Sequence, residues 1–260
     1  MNAYMKSRQG GFTLVELAVV LVIIGLLLGA VLKGQEMIQS AQAKRVENDI
    51  KQVEVWIQQH KDRTGRLPGD CNQDGIIGYD LSTANSGHEE ANKRALALRL
   101  YTQMPTRAAA NTAPGADQVC PVIGDVDTTV DGTEVNVPWN ELRYAGMVRP
   151  TEANRTVARL NHEDFVYIGH FKDPATNTNY NAIVIYNLPV WMARQIASSV
   201  NGFEEPANRG RFRHLNRANT AYHAGWTESA EEGSNQSAAY VNAIYFFDRI
   251  PTFTDATVPE

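Results

Sequence analysis

The chain has 260 residues, of which 43% are hydrophobic, and its formal net charge is −5. This length is ample for the core of one globular domain. The acidic balance argues against bulk binding of nucleic acid, because the phosphate backbone repels a negative surface.

The first element along the chain is an apolar run at 12–32 whose only charge is Glu16. Its fifteen Phe, Leu, Ile and Val side chains favour membrane insertion by about 0.3 to 0.6 kcal/mol each, on the order of 7 kcal/mol together. An acid at mid-membrane costs about 2.5 to 3.5 kcal/mol. The run is therefore expected to insert into the membrane despite Glu16. An acid that remains in such a run although it opposes insertion indicates a function.

Two ordinary interpretations of this run fit poorly. A secretory signal peptide has a shorter apolar stretch with a small-x-small cleavage site close behind it, whereas the Ala-x-Ala motif of this chain, 41–43, lies beyond Lys33 and Glu36. A single-span anchor fits the length, since about 20 helical residues cross the hydrocarbon core. It leaves both Glu16 and the Gly11-Phe12 junction unexplained.

A third interpretation rests on the residues at the start of the run. Residues 11–16 read Gly-Phe-Thr-Leu-Val-Glu and follow a short leader that contains Lys6 and Arg8. This combination resembles the processing site of the type IV pilin and type II secretion pseudopilin superfamily. The resemblance implies that a prepilin peptidase cuts after Gly11 on the cytoplasmic side and N-methylates Phe12, while the apolar run stays in the product. Loss of the two leader cations changes the net charge from −5 to −7.

The resemblance also gives Glu16 a role in assembly. Cleavage creates a cationic amine at Phe12, and in the family this acid is thought to pair with such an amine when subunits meet. One charge left unpaired in low dielectric costs about 3 to 5 kcal/mol, so the pair sets the register between subunits. The tip-most minor pseudopilin typically lacks this acid, so Glu16 indicates a subunit that docks beneath another.

The same resemblance implies partners and a location. The partners are the prepilin peptidase, other pilin or pseudopilin subunits and the inner-membrane assembly platform. The precursor would sit in the bacterial inner membrane with a cytoplasmic N-terminus and a periplasmic head. After assembly the subunit would belong to a periplasmic or extracellular filament.

The helix that begins with the apolar run is predicted to continue to residue 63. No proline occurs from Phe12 to Asp62, and four apolar residues recur with helical spacing along one face: Val46, Ile50, Val53 and Ile57. The other positions are polar, with Lys44, Glu47, Lys51 and Gln58. We therefore divide the chain into a leader (1–11), a membrane or filament-core segment (12–32), an amphipathic stalk (33–63) and a head (64–260).

The head is predicted to be α+β, because its predicted helices and strands are segregated along the chain. The resemblance to pilins implies that the second half of the long helix lies against an antiparallel sheet. Predicted helices lie at 89–103, 139–148 and 190–200, the last with an Asn201-Gly202 C-cap. Strands rich in β-branched and aromatic residues are predicted at 163–171, 181–186 and 239–247. Residues 105–135 are predicted to be loop.

Residues 70–77 match the opening of an EF-hand-type calcium loop. Oxygen ligands fall at loop positions 1, 3, 5 and 7, which are Asp70, Asn72, Asp74 and the carbonyl of Ile76, with Gly75 at position 6. Position 12 is Leu81 instead of a carboxylate, and Asp80 stands one place early. Calcium is one interpretation, and a tight turn built from Asx and Gly residues is the other.

The two cysteines, Cys71 and Cys120, lie in the segment that the resemblance places in an oxidising periplasm. A disulfide between them is therefore predicted. It would close a loop of about 50 residues and contribute roughly 4 kcal/mol in the chain-entropy model. Two buried free thiols are the alternative.

Arginines cluster with aromatic residues near the end of the predicted head: Arg209, Arg211, Phe212, Arg213, His214 and Arg217. Such a cluster could hold the phosphates and bases of DNA, as in uptake pilins. A solvated basic loop that pairs with the acidic segments 204–205 and 231–232 is the alternative.

Enzymatic function has little support in the sequence. The segment 162–164, His-Glu-Asp, lacks the spacing of a zinc helix, and neither a nucleophile elbow nor a phosphate loop is present. The sequence favours a structural subunit of a type IV pilus or secretion pseudopilus, with a head large enough to indicate a minor subunit. The alternatives are a filament-displayed adhesin or DNA-uptake receptor, and a membrane-tethered binding module that does not polymerise.

Overall fold

The computed structural model describes residues 14–82, 136–148, 165–216, 220–226 and 240–252. The helix predicted at 89–103 and the loop predicted at 105–135 lie outside these residues. So does the segment 162–164 that was considered as a zinc motif.

The long N-terminal helix is confirmed as α1, Leu14–Thr64. It ends where Gly65 adopts a left-handed conformation with φ +80° and donates its N–H to the carbonyl of Lys61 at 2.8 Å. Glycine reaches that conformation without the steric penalty of a Cβ atom. The end of α1 therefore lies within one residue of the predicted position.

By its internal contacts the chain divides into two compact units, residues 1–41 and 42–260. In the first unit α1 is long and apolar enough to cross a membrane by length and composition, a test that signal sequences also pass. In the second unit the remaining turns of α1 belong to the same compact body as the sheet.

The second unit is α+β, as predicted. Its elements are Asn136–Tyr144 (α2), Val166–Lys172 (β1), Asn179–Pro189 (β2), Val190–Asn201 (α3), Phe212–Leu215 (β3) and Tyr240–Phe246 (β4). The four strands form an antiparallel sheet in the order β1-β2-β4-β3, and β1 pairs with β2 in a register that sets Val166 opposite Ile185. The helices α2 and α3 pack against this sheet.

Most predicted elements of the described segments are confirmed, with shifted ends. α3 ends at Gly202, whose φ of +80° and N–H bond to Ser198 make the predicted C-cap. α2 starts before the predicted residue 139 and stops at Tyr144, ahead of Gly146 with φ +73°. β3 was not predicted, because its Phe-Arg-His-Leu sequence was interpreted as part of a basic cluster.

The apolar stripe of α1 forms part of the core, as its spacing predicted. Val46, Ile50, Val53 and Ile57 are each 2% exposed or less and belong to the same cluster as the sheet residues. β2 is one of the two central strands of the sheet. It is buried over most of its length, so it is covered on both faces.

Glu47 was predicted on the polar face of α1, and this is wrong, since it is only 2% exposed. Burial opposes its charge, but hydrogen bonds from Lys51, Lys44 and Ser199 outweigh that effect and hold the pKa of Glu47 below its usual value. Ser199 belongs to α3, so this carboxylate joins α1 to α3. Sequence periodicity could not reveal a partner that lies so far along the chain.

The alternative interpretation of the arginine cluster as a DNA-binding surface does not fit Phe212, Arg213 and His214, which are buried. The Arg213 guanidinium lies 4.9 Å from the ring centroid of Tyr222 and donates to the carbonyl of Pro251 at 2.6 Å. These side chains hold the head together instead of facing a ligand.

The two other described arginines of the cluster, Arg209 and Arg211, lie nearer the surface. Arg211 is 3.6 Å from the carboxylate of Glu54 on α1. Glu204, in the acidic segment 204–205, binds Arg194 at 3.1 Å. Arg194 does not belong to the arginine cluster. Arg217 and the acidic segment 231–232 lie outside the described residues.

His214 predicts a pH dependence of stability. Burial lowers the pKa of His214 to about 4, with the adjacent His223 acting in the same direction and the hydrogen bond to the Gly225 carbonyl opposing it. The unfolded chain binds a proton near pH 6.5 and the folded chain near pH 4. Stability is therefore lost as pH falls through this window, by up to about 3 kcal/mol.

The check is urea unfolding of the protein and of His214→Gln between pH 7 and pH 4. The variant keeps an amide donor for the Gly225 carbonyl but cannot titrate. We expect its free energy of unfolding to decrease less than that of the parent as the pH is lowered from 7 to 4. Parallel pH profiles would contradict the assignment to His214.

Candidate functional site

Two segments contain the residues that the sequence singled out, one in each compact unit. In the first unit Glu16 lies in the first turn of α1 and is exposed. An acid in this position interacts favourably with the positive end of the helix dipole. Gly11 and Phe12 lie outside the described residues.

The apolar side chains that follow Glu16 are exposed to an extent that is unusual for a folded chain. From Leu14 to Leu32 the large hydrophobic residues are between 46% and 86% exposed. A contiguous apolar surface of this kind marks a membrane or protein interface. The first unit therefore has the surface of a segment that is covered by lipid or by other chains.

The second segment is the loop at 65–82, and its beginning is bound to α2. Glu141 is 2% exposed and accepts hydrogen bonds from Arg66, at 2.8 Å, and from the N–H of Gly69, at 2.7 Å. Gly69 has φ +82°, and a Cβ atom there would lie 2.8 Å from the ring of Pro138. Only glycine fits at this close contact.

The end of the loop pairs with the outer edge of β1. The His170 N–H donates to the Tyr79 carbonyl and the Leu81 N–H donates to the His170 carbonyl, both at 2.8 Å. The loop passes directly over Gly169, where a Cβ atom would be 2.3 Å from the Tyr79 oxygen. The glycine in β1 is thus the feature that lets the loop approach the strand.

Asn181 binds the middle of the loop to β2. Its side chain is 1% exposed, and its Oδ1 accepts from the Ile77 N–H at 2.9 Å. Its Nδ2 donates to the Gly75 carbonyl at 2.8 Å. Sequence reasoning missed this residue, although an amide in an otherwise apolar buried strand was a signal for a specific partner.

The carboxylate of Asp70 points into the turn that these contacts frame. Asp70 is 2% exposed, and its Oδ2 accepts from the Gly75 N–H at 3.1 Å. Its Oδ1 has no hydrogen-bond partner among the described residues. Burial, reinforced by the negative charge of Asp74, raises the pKa of Asp70 above its usual value.

The other predicted ligands follow the same turn. Asp74 accepts the Ile76 N–H at 2.7 Å and the Asn72 side-chain amide at 2.8 Å. Gln73 and Gly75 have positive φ values of 59° and 84°, and Asn72, Asp74 and Gly75 are exposed. The turn thus carries oxygen atoms at the solvent side of the buried Asp70.

Asp80 is engaged differently. Its Oδ1 accepts from the backbone N–H and the hydroxyl of Ser82, at 2.8 and 2.6 Å. Within the described ranges no group of three or more His, Cys, Asp and Glu side chains is placed to hold a metal ion. The turn offers two carboxylates, and any further oxygen ligands would have to be amide or backbone carbonyl groups.

Cys71 is 2% exposed and packs with Val137 of α2. Cys120 lies outside the described residues, so the pairing of the two cysteines stays a prediction.

Residues 6–32 match the family model described as the prokaryotic N-terminal methylation motif. The chain carries the prepilin-type signal of type IV pilins and pseudopilins. Neither a curated protein nor a solved structure matched this chain. The match covers the leader and the exposed apolar run, and the head domain lies outside it.

The prepilin-type signal indicates a pilin-like structural protein. It implies processing by prepilin peptidase and assembly with other pilin subunits. An apolar helix that directly follows the signal is consistent with a membrane-anchored precursor.

The Arg66–Glu141 pair predicts a large effect on stability. Their side chains are 12% and 2% exposed, so Glu141→Ala leaves a guanidinium and the Gly69 N–H without their buried acceptor. We expect a loss of about 3 to 5 kcal/mol in the free energy of unfolding, measured in urea.

The matched control is Glu204→Ala, which breaks the surface pair with Arg194, whose side chains are 44% and 45% exposed. This change should cost at most about 1 kcal/mol. Equal losses in the two variants would show that the buried pair does not anchor the loop.

Proposed function

We propose that the protein is a structural subunit, of the minor class, in a type IV pilus or type II secretion pseudopilus. Prepilin peptidase cuts the precursor after Gly11 and methylates Phe12. The apolar half of α1 first anchors the subunit in the inner membrane, with its N-terminus cytoplasmic and its head periplasmic. The assembly platform then transfers it into a filament.

One observation carries this proposal: the methylation motif at 6–32 runs directly into an apolar helix whose side chains are exposed. A segment that served only as an anchor would need apolar side chains but no processing site. A filament subunit needs both, since the same surface contacts lipid before assembly and other subunits after it.

Glu16 supplies the directional element of this interface. The new amine at Phe12 and the Glu16 carboxylate of a neighbouring subunit would form an ion pair inside the filament core. Removing one partner of a buried pair costs about 3 to 5 kcal/mol. A subunit without Glu16 would therefore insert into the membrane normally and fail at incorporation.

The size of the head supports the minor class. Nearly 200 residues follow α1, which ends at Thr64 of a 260-residue chain, and such a head is large for a repeated building block. The burial of Phe212, Arg213 and His214 supports a structural role for these three residues over DNA binding. Within this proposal the chain has no enzymatic activity of its own.

Glu16→Ala tests the assembly role. Cells that carry this variant are sheared, and the filament and membrane fractions are probed for the subunit by immunoblotting. We expect the variant in the membrane fraction, cleaved and N-methylated by mass spectrometry, but strongly depleted from filaments.

Glu36→Ala is the matched control on the same helix, because Glu36 forms an exposed pair with Lys33 beyond the apolar run. It should enter filaments like the parent protein. Normal incorporation of Glu16→Ala would defeat the assembly role, and a parent protein that never leaves the membrane fraction would favour a tethered module instead.

A disulfide between Cys71 and Cys120 belongs to the same proposal, since a periplasmic head folds under oxidising conditions. It would tie the loop after α1 to the segment before α2. Removing it would destabilise the head by roughly 4 kcal/mol in the chain-entropy model.

Alkylation of the unfolded protein with and without prior reduction tests this pairing. The expected result is labelling of both cysteines only after reduction, and a peptide map that joins the two. Labelling of the unreduced protein to the same extent would contradict the disulfide.

A further inference from the structure

The turn after α1 contains a buried acid of which one oxygen has no partner. Backbone N–H groups of Gly75, Asp74 and Gln73 favour the charged form of Asp70, but burial outweighs them. Asp70 is 2% exposed, and its Oδ1 lacks a hydrogen-bond partner among the described residues. A buried carboxylate normally receives hydrogen bonds at both oxygens or pairs with a cation. This oxygen is therefore the feature that requires an explanation.

Among the described residues, the arginine beside the turn binds other groups. Arg66 donates to the backbone carbonyl of Asp70 at 3.3 Å and directs its guanidinium to Glu141. The charged side chain that acts on Asp70 within the turn is Asp74, which is also acidic. The turn thus places a second negative charge beside the buried carboxylate.

The remaining oxygens of the turn follow Asp70 in sequence order. The Asp70 Oδ2 accepts the Gly75 N–H, so the carboxylate reaches across the turn instead of outward. Asn72 and Asp74 alternate with Asp70 at every second residue, and the carbonyl of Ile76 continues the series. Alternating oxygen ligands followed by a backbone carbonyl are the arrangement with which EF-hand loops bind calcium.

We propose that this turn binds one Ca²⁺ ion through Asp70, Asn72, Asp74 and the carbonyl of Ile76, with water completing the coordination. Asp80 is left out of this set because its Oδ1 accepts two hydrogen bonds from Ser82, which lies beyond the turn. The hydrogen bonds that Asp74 accepts come instead from two residues of the turn itself, Asn72 and Ile76. This differs from the set expected from the sequence, in which Asp80 replaced the missing carboxylate of position 12.

The chemistry of the site selects calcium among the common divalent ions. All four protein ligands are oxygen atoms, which Zn²⁺ and other softer metals disfavour relative to nitrogen and sulfur. Ca²⁺ accepts irregular sets of six to eight oxygens, whereas Mg²⁺ demands a regular octahedron and gives up its water reluctantly. Two carboxylates without a bidentate Glu predict a dissociation constant of about 10⁻⁴ to 10⁻³ M, as in extracellular modules.

The frame of the turn is already formed without the ion. Asn181 holds the Gly75 carbonyl and the Ile77 N–H, Glu141 holds the Gly69 N–H, and β1 holds Tyr79 and Leu81. Binding would therefore stabilise the junction that connects α1, α2 and the sheet. This site goes beyond the proposed function and does not depend on it, because it lies entirely in the head.

Calorimetric titration of the full-length protein in detergent micelles with CaCl₂, after removal of EGTA, tests the site. We expect a saturable one-site heat. At calcium about tenfold above the dissociation constant, Tm should rise by about 3 to 6 °C. MgCl₂ at the same concentration controls for ionic strength and should raise Tm less.

Three variants separate a ligand from a structural residue. Asp70→Asn should lose the calcium response, yet in EGTA its Tm should equal or exceed that of the parent, because a buried charge has been removed. Asp74→Asn, at an exposed position that the fold tolerates, should weaken calcium binding at least about tenfold. Asp80→Asn is the matched control and should bind calcium like the parent.

The absence of a saturable heat in the parent protein would overturn the site. So would calcium binding by Asp70→Asn and Asp74→Asn that equals the parent's. If Asp80→Asn lost calcium binding, the proposed ligand set would be wrong. Filament assembly enters none of these measurements, so their failure is distinct from failure of the subunit proposal.

Discussion

The second half of α1 has to bury its apolar face, and the head is organised around that requirement. Val46, Ile50, Val53 and Ile57 enter the same core as the sheet residues, and burial of one such side chain contributes about 1.5 to 3 kcal/mol. A helix of this length is not stable through propensity alone in water, so its packed face supplies most of the stability. The sheet in turn relies on α1, α2 and α3, because its central strand is covered on both faces.

Burial of apolar side chains determines which surfaces of the helices and the sheet pack together. A few polar contacts determine how these elements are aligned. Tyr245 donates to Glu54 of α1 at 2.6 Å, and Glu47 receives hydrogen bonds from lysines of its own helix and from α3. At the end of α1, the Arg66–Glu141 pair leads the chain into the loop. Such bonds are directional and costly to leave unmade in the interior, so they specify one arrangement of the helices on the sheet.

The elements of the described chain were largely predictable because the signals are local. The stripe on α1, the β-branched segments of β1, β2 and β4, and the C-cap of α3 repeat over a few residues and need no distant partner. β3 was missed because Arg213 and His214 look like surface residues in the sequence. Arg213 is buried among Tyr222, Phe246 and Pro251, and His214 stacks on Trp226. No local pattern contains that information.

For the candidate sites, the sequence by itself determined the prepilin-type signal, the position of Glu16 and the alternation of Asp70, Asn72 and Asp74. These are properties of residue type and spacing, and a short segment contains all of them. Only the tertiary structure decided that Asp70 is buried with an unsatisfied oxygen, that Ser82 occupies Asp80, and that Asn181 and Glu141 frame the turn. Asn181 and Glu141 are more than 60 residues away in sequence, and which distant groups become neighbours depends on how the whole core packs.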